Sequence, residues 1–395
     1  MKNLKRLLAL TVVSSLAFAM VGCGSDDKKE EGNKESQSGE AVFNIGAIGP
    51  TTGAAAVYGL AVKNGAQIAI DEINAAGGIN GTQIEFNFQD DEHDSEKSVN
   101  AYNTLKDWNM DILLGAVTSN PCIAVASEAA NDECFMLTPS GSSPKIIEGK
   151  TNVFQVCFSD PNQGTGSAQV IAEQKMASKV AVIYDSSDVY SSGIYEKFAA
   201  EAANQSIEIV AAEAFTADTK TDFTVQLQKA KEAGAELLFL PIYAQEASLV
   251  LSQAASMDFA PIFFGCDGLD GILAIKGFDA KLAEGVILLT PFVADSTEEA
   301  TVEFVNKYQT EYNEVPNQFA ADSYDGVYIL KAAIEKAGVT ADQSNAEISE
   351  ALKAAMTEIT IDGLTGVGMT WQATGEVSKA PKAMVIKDGV YTSLQ

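Results

Sequence analysis

Three short stretches place hydroxyls at points where a chain turns from strand to helix. Thr118-Ser119-Asn120-Pro121 follows the apolar run 111–117, and Ser140-Gly141-Ser142-Ser143-Pro144 follows Cys134–Pro139. Ser159-Asp160-Pro161 follows Val153–Phe158. In each, a residue suited to the N-cap (Asn120, Ser143 or Asp160) stands before a proline suited to the first helical position. Helix N-termini offer unpaired N–H groups and the positive end of the helix dipole, so hydroxyls gathered beside them suit a small anion such as a carboxylate. Taken singly, such pairs are caps and no more. Ser119, Ser140 and Ser142 exceed what capping requires, and together they read as a carboxylate cradle.

A zwitterion would need an acid on the far side. Gly265-Cys266-Asp267-Gly268-Leu269-Asp270 ends the apolar run 261–266 and supplies Asp267 as an ammonium partner. Tyr190, in Ser-Ser-Asp-Val-Tyr, and Tyr243, at the end of the run 236–243, fall at the same edge. The alternative for Asp267 is an ordinary turn residue between glycines.

The elements that must position these groups follow a regular rhythm. Val42–Gly49 reads as a strand, followed by a helix of about twenty residues that buries Ala61, Gly65, Ile68, Ala69, Glu72, Ile73 and Ala76 on one face. Ile84–Asp90 alternates as a half-buried strand. Helices near 95–108 and 121–131 and strands at 111–118 and 134–139 continue the pattern. It restarts after 153–158, with strands at 180–185, 207–215, 236–243, 261–266 and 286–292 separated by helices near 162–176, 191–204, 222–233 and 245–257. Helices near 298–313, 320–337 and 343–356 and two short strands, 384–387 and 390–393, complete the chain. Strands separated by helices of this length form parallel sheets covered on both faces, and 395 residues exceed a single core. Two doubly wound α/β lobes are expected, with the ligand beyond the carboxyl ends of their strands.

Composition removes several functions. A net charge of −28 disfavours nucleic acid and anionic lipid as electrostatic partners. His93 is the single histidine and lies in the acidic loop Asp90-Asp91-Glu92-His93-Asp94, where a solvent-facing position is expected. A catalytic triad or a zinc cluster would need more partners, and neither a Walker sequence nor a GxGxxG after a strand occurs. No cofactor, metal or enzymatic activity is expected. Cys122 and Cys134 read as buried thiols, with a pairing between them left open.

The N-terminus has a basic head and an apolar run, Leu7–Met20, of about 14 residues, short for a membrane span and right for an export signal. Met20-Val21-Gly22-Cys23 resembles the lipobox of bacterial lipoproteins, in which the cysteine carries the lipid; Met20 stands where leucine is usual. Gly24–Glu40 holds a single alanine-free polar mixture that cannot bury enough surface to fold. Residues 1–22 are therefore expected as a signal peptide, Cys23 as the lipidation site and 23–40 as a tether to the outer face of the cytoplasmic membrane. Removing Lys2, Lys5 and Arg6 with the signal makes the mature chain more acidic still.

Residues 41–395 resemble the type I periplasmic binding proteins for leucine, isoleucine and valine, the receptors of branched-chain amino-acid ABC transporters. The resemblance is carried by Ile45-Gly-Ala-Ile-Gly-Pro-Thr-Thr-Gly53, Tyr58-Gly59, Ile73-Asn-Ala-Ala-Gly-Gly-Ile-Asn-Gly81, Asp90-Asp91, Thr138-Pro139, Asp160-Pro-Asn-Gln-Gly164 and Tyr324-Asp325-Gly326, in order. It implies two lobes joined by a three-crossover hinge, with lobe 1 at 41–161 and 291–377 and lobe 2 at 162–290 and 378–395. It implies that Ser119, Ser140 and Ser142 hold a ligand carboxylate, that Asp267 with Ser142 holds the ammonium, and that Tyr58, Tyr190 and Tyr243 line the pocket. It further implies a monomer that delivers an amino acid to a permease. Another amino acid, an amide or urea, or a sensory role on the same fold remain alternatives. Asp267 is shorter than the glutamate of some members, and His93 and Thr118 stand where the family carries a disulfide.

Overall fold

The computed structural model describes residues 41–394, so the expected signal peptide, Cys23 and the whole of the tether lie outside the described residues. Elements alternate from the start: β1 (Phe43–Gly49), α1 (Ala56–Ala75), β2 (Ile84–Asp90), α2 (Ser95–Asp107), β3 (Ile112–Gly115), α3 (Ser119–Asn131), β4 (Phe135–Thr138) and β5 (Val153–Gln155). There follow α4 (Asp160–Glu173), β6 (Lys179–Asp185), α5 (Val189–Asn204), β7 (Glu208–Phe215), α6 (Thr224–Glu232), β8 (Leu237–Leu240), α7 (Ala244–Ser256), β9 (Ile262–Gly265) and β10 (Ile287–Thr290). The chain ends in α8 (Glu299–Tyr312), α9 (Gln318–Ala337), α10 (Asn345–Met356), β11 (Lys382–Lys387) and β12 (Val390–Ser393).

Two sheets result, in the orders β2-β1-β3-β4-β5 and β12-β11-β10-β9-β8-β6-β7. Every pairing in the first is parallel. The second is parallel from β7 to β10, as expected of a doubly wound lobe, and β11 and β12 add antiparallel at its edge. Between β11 and β12 the connection requires it: only two residues, Asp388 and Gly389, separate them, enough for a hairpin and far too few for a parallel crossover.

Strand side chains alternate between two cores, as a parallel strand covered on both faces requires. Ile112 and Leu114 of β3 enter one core of the first sheet while Leu113 enters the other. Val180 and Val182 of β6 and Ala181 and Ile183 divide the second sheet in the same way. Helix α9 lies along α1 so closely that a Cβ on Gly65 would stand 2.0 Å from the Ala320 carbonyl oxygen. The chain passes between the sheets three times: after β5, after β10, and before β11, with α9 and α10 packed back on the first sheet's side.

In both sheets the strand order reverses beside the first strand of the unit, between β1 and β3 and between β6 and β8. Loops leave such a switch point in opposite directions and open a crevice at the carboxyl end. The two crevices supply the residues of the site.

Candidate functional site

All seven residues singled out for ligand contact line one nearly filled pocket, with about 10 Å³ of free space: Tyr58, Ser119, Ser140, Ser142, Tyr190, Tyr243 and Asp267. From the first sheet, Tyr58 comes from the helix after β1, Ser119 follows β3, and Ser140 and Ser142 follow β4. From the second, Tyr190 lies just inside α5 after β6, Tyr243 caps α7 after β8, and Asp267 opens a single 3-10 turn after β9. Val117, Thr118, Gly268 and Phe319 complete the wall. A larger and more open depression of about 860 Å³ lies elsewhere. Its charged residues, Asp295, Glu298, Lys382 and Lys387, are exposed and of both signs, so it lacks buried groups converging on one ligand.

The capping assignments need correction. Helix α3 begins at Ser119 with Thr118 at the N-cap, and α4 begins at Asp160 with Ser159 at the N-cap; neither cap side chain makes the capping hydrogen bond. Only Ser143 occupies its expected place, and it precedes a three-residue 3-10 turn, Pro144–Ile146, where no α-helix forms. Proline is tolerated anywhere in the first turn because no N–H is required there, so its position alone does not fix the cap. The shift brings Ser119 into the first turn of α3, where its hydroxyl and the unpaired N–H groups share one end of the dipole.

Ser140 donates its hydroxyl to the Val117 carbonyl at 2.9 Å, which ties the β4 loop to the end of β3. Thr138 does the same to Ala116 at 2.7 Å. The proton of Ser140 is thereby committed, leaving its backbone for a ligand. No arginine follows Arg6 in the sequence, so a bidentate guanidinium is not available and any carboxylate must be met by hydroxyls and N–H groups.

The second crevice is acidic and buried. Tyr190 donates to Asp267 Oδ1 at 2.7 Å, and the Asp267 N–H donates to Gln163 Oε1 at 3.1 Å. Burial pushes the Asp267 carboxyl up to about 7, against the Tyr190 hydrogen bond that favours its charged form, and Asp322 adds repulsion. Asp160, on α4, is buried with neither carboxylate oxygen hydrogen-bonded, and burial raises it well above the carboxylate range. The Ser142 hydroxyl beside it offsets part of that rise but is not aligned as a hydrogen bond. Tyr243 Oη is likewise buried without a partner. A group that carries positive charge into this space would meet carboxylates whose charged form is otherwise penalised.

The two sides touch. Tyr58 donates to the Gly268 carbonyl at 2.6 Å, and Asn120 Nδ2 donates to Asp188 Oδ2 at 3.1 Å. His93 meets Tyr243 edge to face with ring centroids 5.3 Å apart, and its Nδ1 lies 2.8 Å from Thr118 Oγ1. The expectation of a solvent-facing His93 is thus wrong: half-buried between the crevices, it has its pKa lowered to about 4 by burial. Neighbouring acids suggested a solvated loop, yet those acids cap turns. Asp90 receives the Thr51 N–H and the Thr52 hydroxyl, and Asp94 receives the Lys97 N–H. Cys122, Cys134, Cys157 and Cys266 are buried free thiols. Among the described residues no cluster of metal-ligating side chains forms, and no helix is long and apolar enough to cross a membrane.

Sequence reasoning missed Phe319, Gln163, Gly268 and Asp188. Asp188 could have been found, since it precedes a helix and caps it through the Tyr190 and Ser191 N–H groups. Phe319 gives no local signal, because it reaches the cavity from α9, about 260 residues after Tyr58, with which its ring makes an edge contact at 4.7 Å.

Comparison with known proteins extends over the same body. The family model described as periplasmic binding protein matches residues 42–389. The Leu/Ile/Val-binding protein homolog 3 of Brucella melitensis is 29% identical, the match covering 98% of this chain and 100% of that protein. The Leu/Ile/Val-binding protein BraC3 of Rhizobium johnstonii is 30% identical over 94% of each. Among solved structures, the branched-chain amino-acid transporter substrate-binding protein LivJ of Streptococcus pneumoniae, in complex with isoleucine, superposes with a TM-score of 0.81 at 28% identity, covering 89% of this chain and 98% of that one.

Proposed function

The chain belongs to the periplasmic binding protein family, and from that premise we propose that it is a lipid-anchored extracytoplasmic receptor that captures an α-amino acid and hands it to an ABC permease. A branched-chain amino acid is the first candidate. The observation that carries this reading is the pairing of hydroxyls and a helix N-terminus at one switch point with a buried carboxylate at the other, around one pocket.

In this reading Ser119, with the first turn of α3, and Ser142 hold the carboxylate, and Ser140 adds its backbone N–H. Asp267 holds the ammonium together with Ser142, whose hydroxyl can give its proton to one group and accept from the other. Tyr58, Tyr190, Tyr243, Val117 and Phe319 close around the side chain. The lobes, 41–161 with 291–377 and 162–290 with 378–395, shut over the ligand by hinge motion, and the closed pair of surfaces is what the permease would read. Work is done by binding and release, with no bond made or broken. Lipidation at Cys23 rests on the Met20–Cys23 motif, and the monomer on a cavity completed within one chain.

The test is a thermal-shift screen of ligand-stripped protein against the twenty amino acids, urea, short amides and aromatic acids. Ligand at a hundred times its Kd adds about 2.7 kcal/mol of stability. A shift with leucine, isoleucine or valine supports the reading, and a shift only with ligands lacking an amino group contradicts it.

A further inference from the structure

The Tyr58 hydroxyl joins a chain of hydrogen bonds that ends on the acid of the site. It accepts the N–H of Ala244, the first residue of α7, at 2.7 Å and donates to the Gly268 carbonyl at 2.6 Å. The Gly268 N–H donates to the Tyr190 hydroxyl at 2.9 Å, and Tyr190 donates to Asp267 Oδ1 at 2.7 Å. Direction is forced throughout, since a backbone N–H can only donate and a carbonyl can only accept, so each tyrosine has one proton to give and one place to give it. All members are buried. The junction admits glycine alone: a Cβ on Gly268 would stand 2.5 Å from the Tyr190 hydroxyl and 2.8 Å from the Ile242 carbonyl oxygen.

Tyr58 belongs to the helix after β1, whereas the other four belong to loops and helix starts of the second sheet. We propose that Tyr58 is a positioning residue: lobe closure docks its hydroxyl on Gly268, which fixes Tyr190 and through it the carboxylate of Asp267, so ammonium recognition is completed only when the lobes are shut. This rests on the amino-acid reading above. With the lobes apart, the Gly268 carbonyl and the Ala244 N–H can be hydrated; with them together, they are dry and depend on Tyr58. Removing the hydroxyl therefore penalises the closed state and spares the open one, and the penalty falls on dissociation.

The experiment is stopped-flow binding of L-leucine to the wild-type chain, Tyr58→Phe, Asp267→Asn and the double variant. Tyr58→Phe should speed dissociation roughly five- to a hundredfold and leave association within about threefold, because a buried unpaired donor and acceptor cost about 1–3 kcal/mol. In the Asp267→Asn background the same change should cost clearly less, since the end of the chain no longer carries charge. Unchanged dissociation in Tyr58→Phe overturns the proposal. So do strictly additive penalties, which would make Tyr58 a latch with no influence on Asp267, and so does slowed association with a lowered melting temperature of the free protein, which would mark a structural role. If the wild type binds none of the twenty amino acids, the functional reading itself fails, and the proposal falls with it.

Discussion

Replacing Asp267 by asparagine removes one charge while keeping shape and an acceptor for the Tyr190 hydroxyl, which now reaches Oδ1 at 2.7 Å. Two effects of opposite sign follow. Without ligand, closing the lobes buries a carboxyl that burial raises from 3.8 to about 7; at about 1.4 kcal/mol per tenfold, charging it at pH 8 costs about 4 kcal/mol. Asparagine escapes that cost, so the free variant should melt no lower than the wild type. With an amino acid bound, the carboxylate faces an ammonium in a water-free site, and truncating one partner of such a pair costs about 2–5 kcal/mol. Affinity should fall between about thirtyfold and several thousandfold. Titration calorimetry at pH 7.5, on protein stripped by unfolding and refolding, reads the affinity directly. A variant that binds within threefold of wild type would refute the ammonium role, and a variant that no longer folds would refute the first half of the argument.

Four further outcomes are expected. Ser119→Ala should weaken binding by about tenfold, the worth of one hydrogen bond to a charged group, while an amino-acid amide should lose much less, as calorimetry would show. Ligand-free stability should fall as pH rises from 5 to 8, because Asp91, Asp111 and Asp188, held near 6, and Asp267 and Asp270, held near 7, all lie above their unfolded values. Their contribution is full below about pH 4 and lost as pH passes the folded values; His93, lowered to about 4, opposes them but is one group against five. A melting temperature that climbs over that window would contradict this. Lys379→Met leaves Asp322, paired with it at 2.7 Å, as a buried carboxylate without its cation; urea unfolding should report a loss of about 3–5 kcal/mol. The native protein should resist thiol reagents until unfolded, since Cys122 and Cys134 are buried and pushed up to about 12.

The alternation of strands and helices was legible because parallel strands buried on both faces are short unbroken apolar runs and the helices between them keep one apolar stripe. Ile84–Asp90 and Val390–Ser393 fall where the alternation places them. Where runs extended past the hydrogen-bonded ladder, the strand looked too long: 236–243 reads as one apolar segment, yet β8 ends at Leu240 and Ile242 and Tyr243 turn toward the core and cavity. The site was legible in part because strand-end loops are local in sequence. Ser119, Ser142 and Asp267 each follow a recognisable strand. His93 was misread because its neighbours are acidic, while its burial comes from Tyr243, 150 residues later. Phe319 and the clamp of Tyr58 on Gly268 were invisible for the same reason: they depend on how two crevices built from distant parts of the sequence meet, and no local pattern encodes that distance.

A receptor of this kind holds one ligand between those crevices, so the decisive measurement is calorimetric titration of stripped protein with L-leucine, L-isoleucine and L-valine beside their amine-free analogues. One-to-one binding of an amino acid, with the matching analogue at least thirtyfold weaker, is the predicted result. Equal affinity for the amine-free analogue, or binding that survives when the amine is removed but not when the carboxylate is, would contradict it.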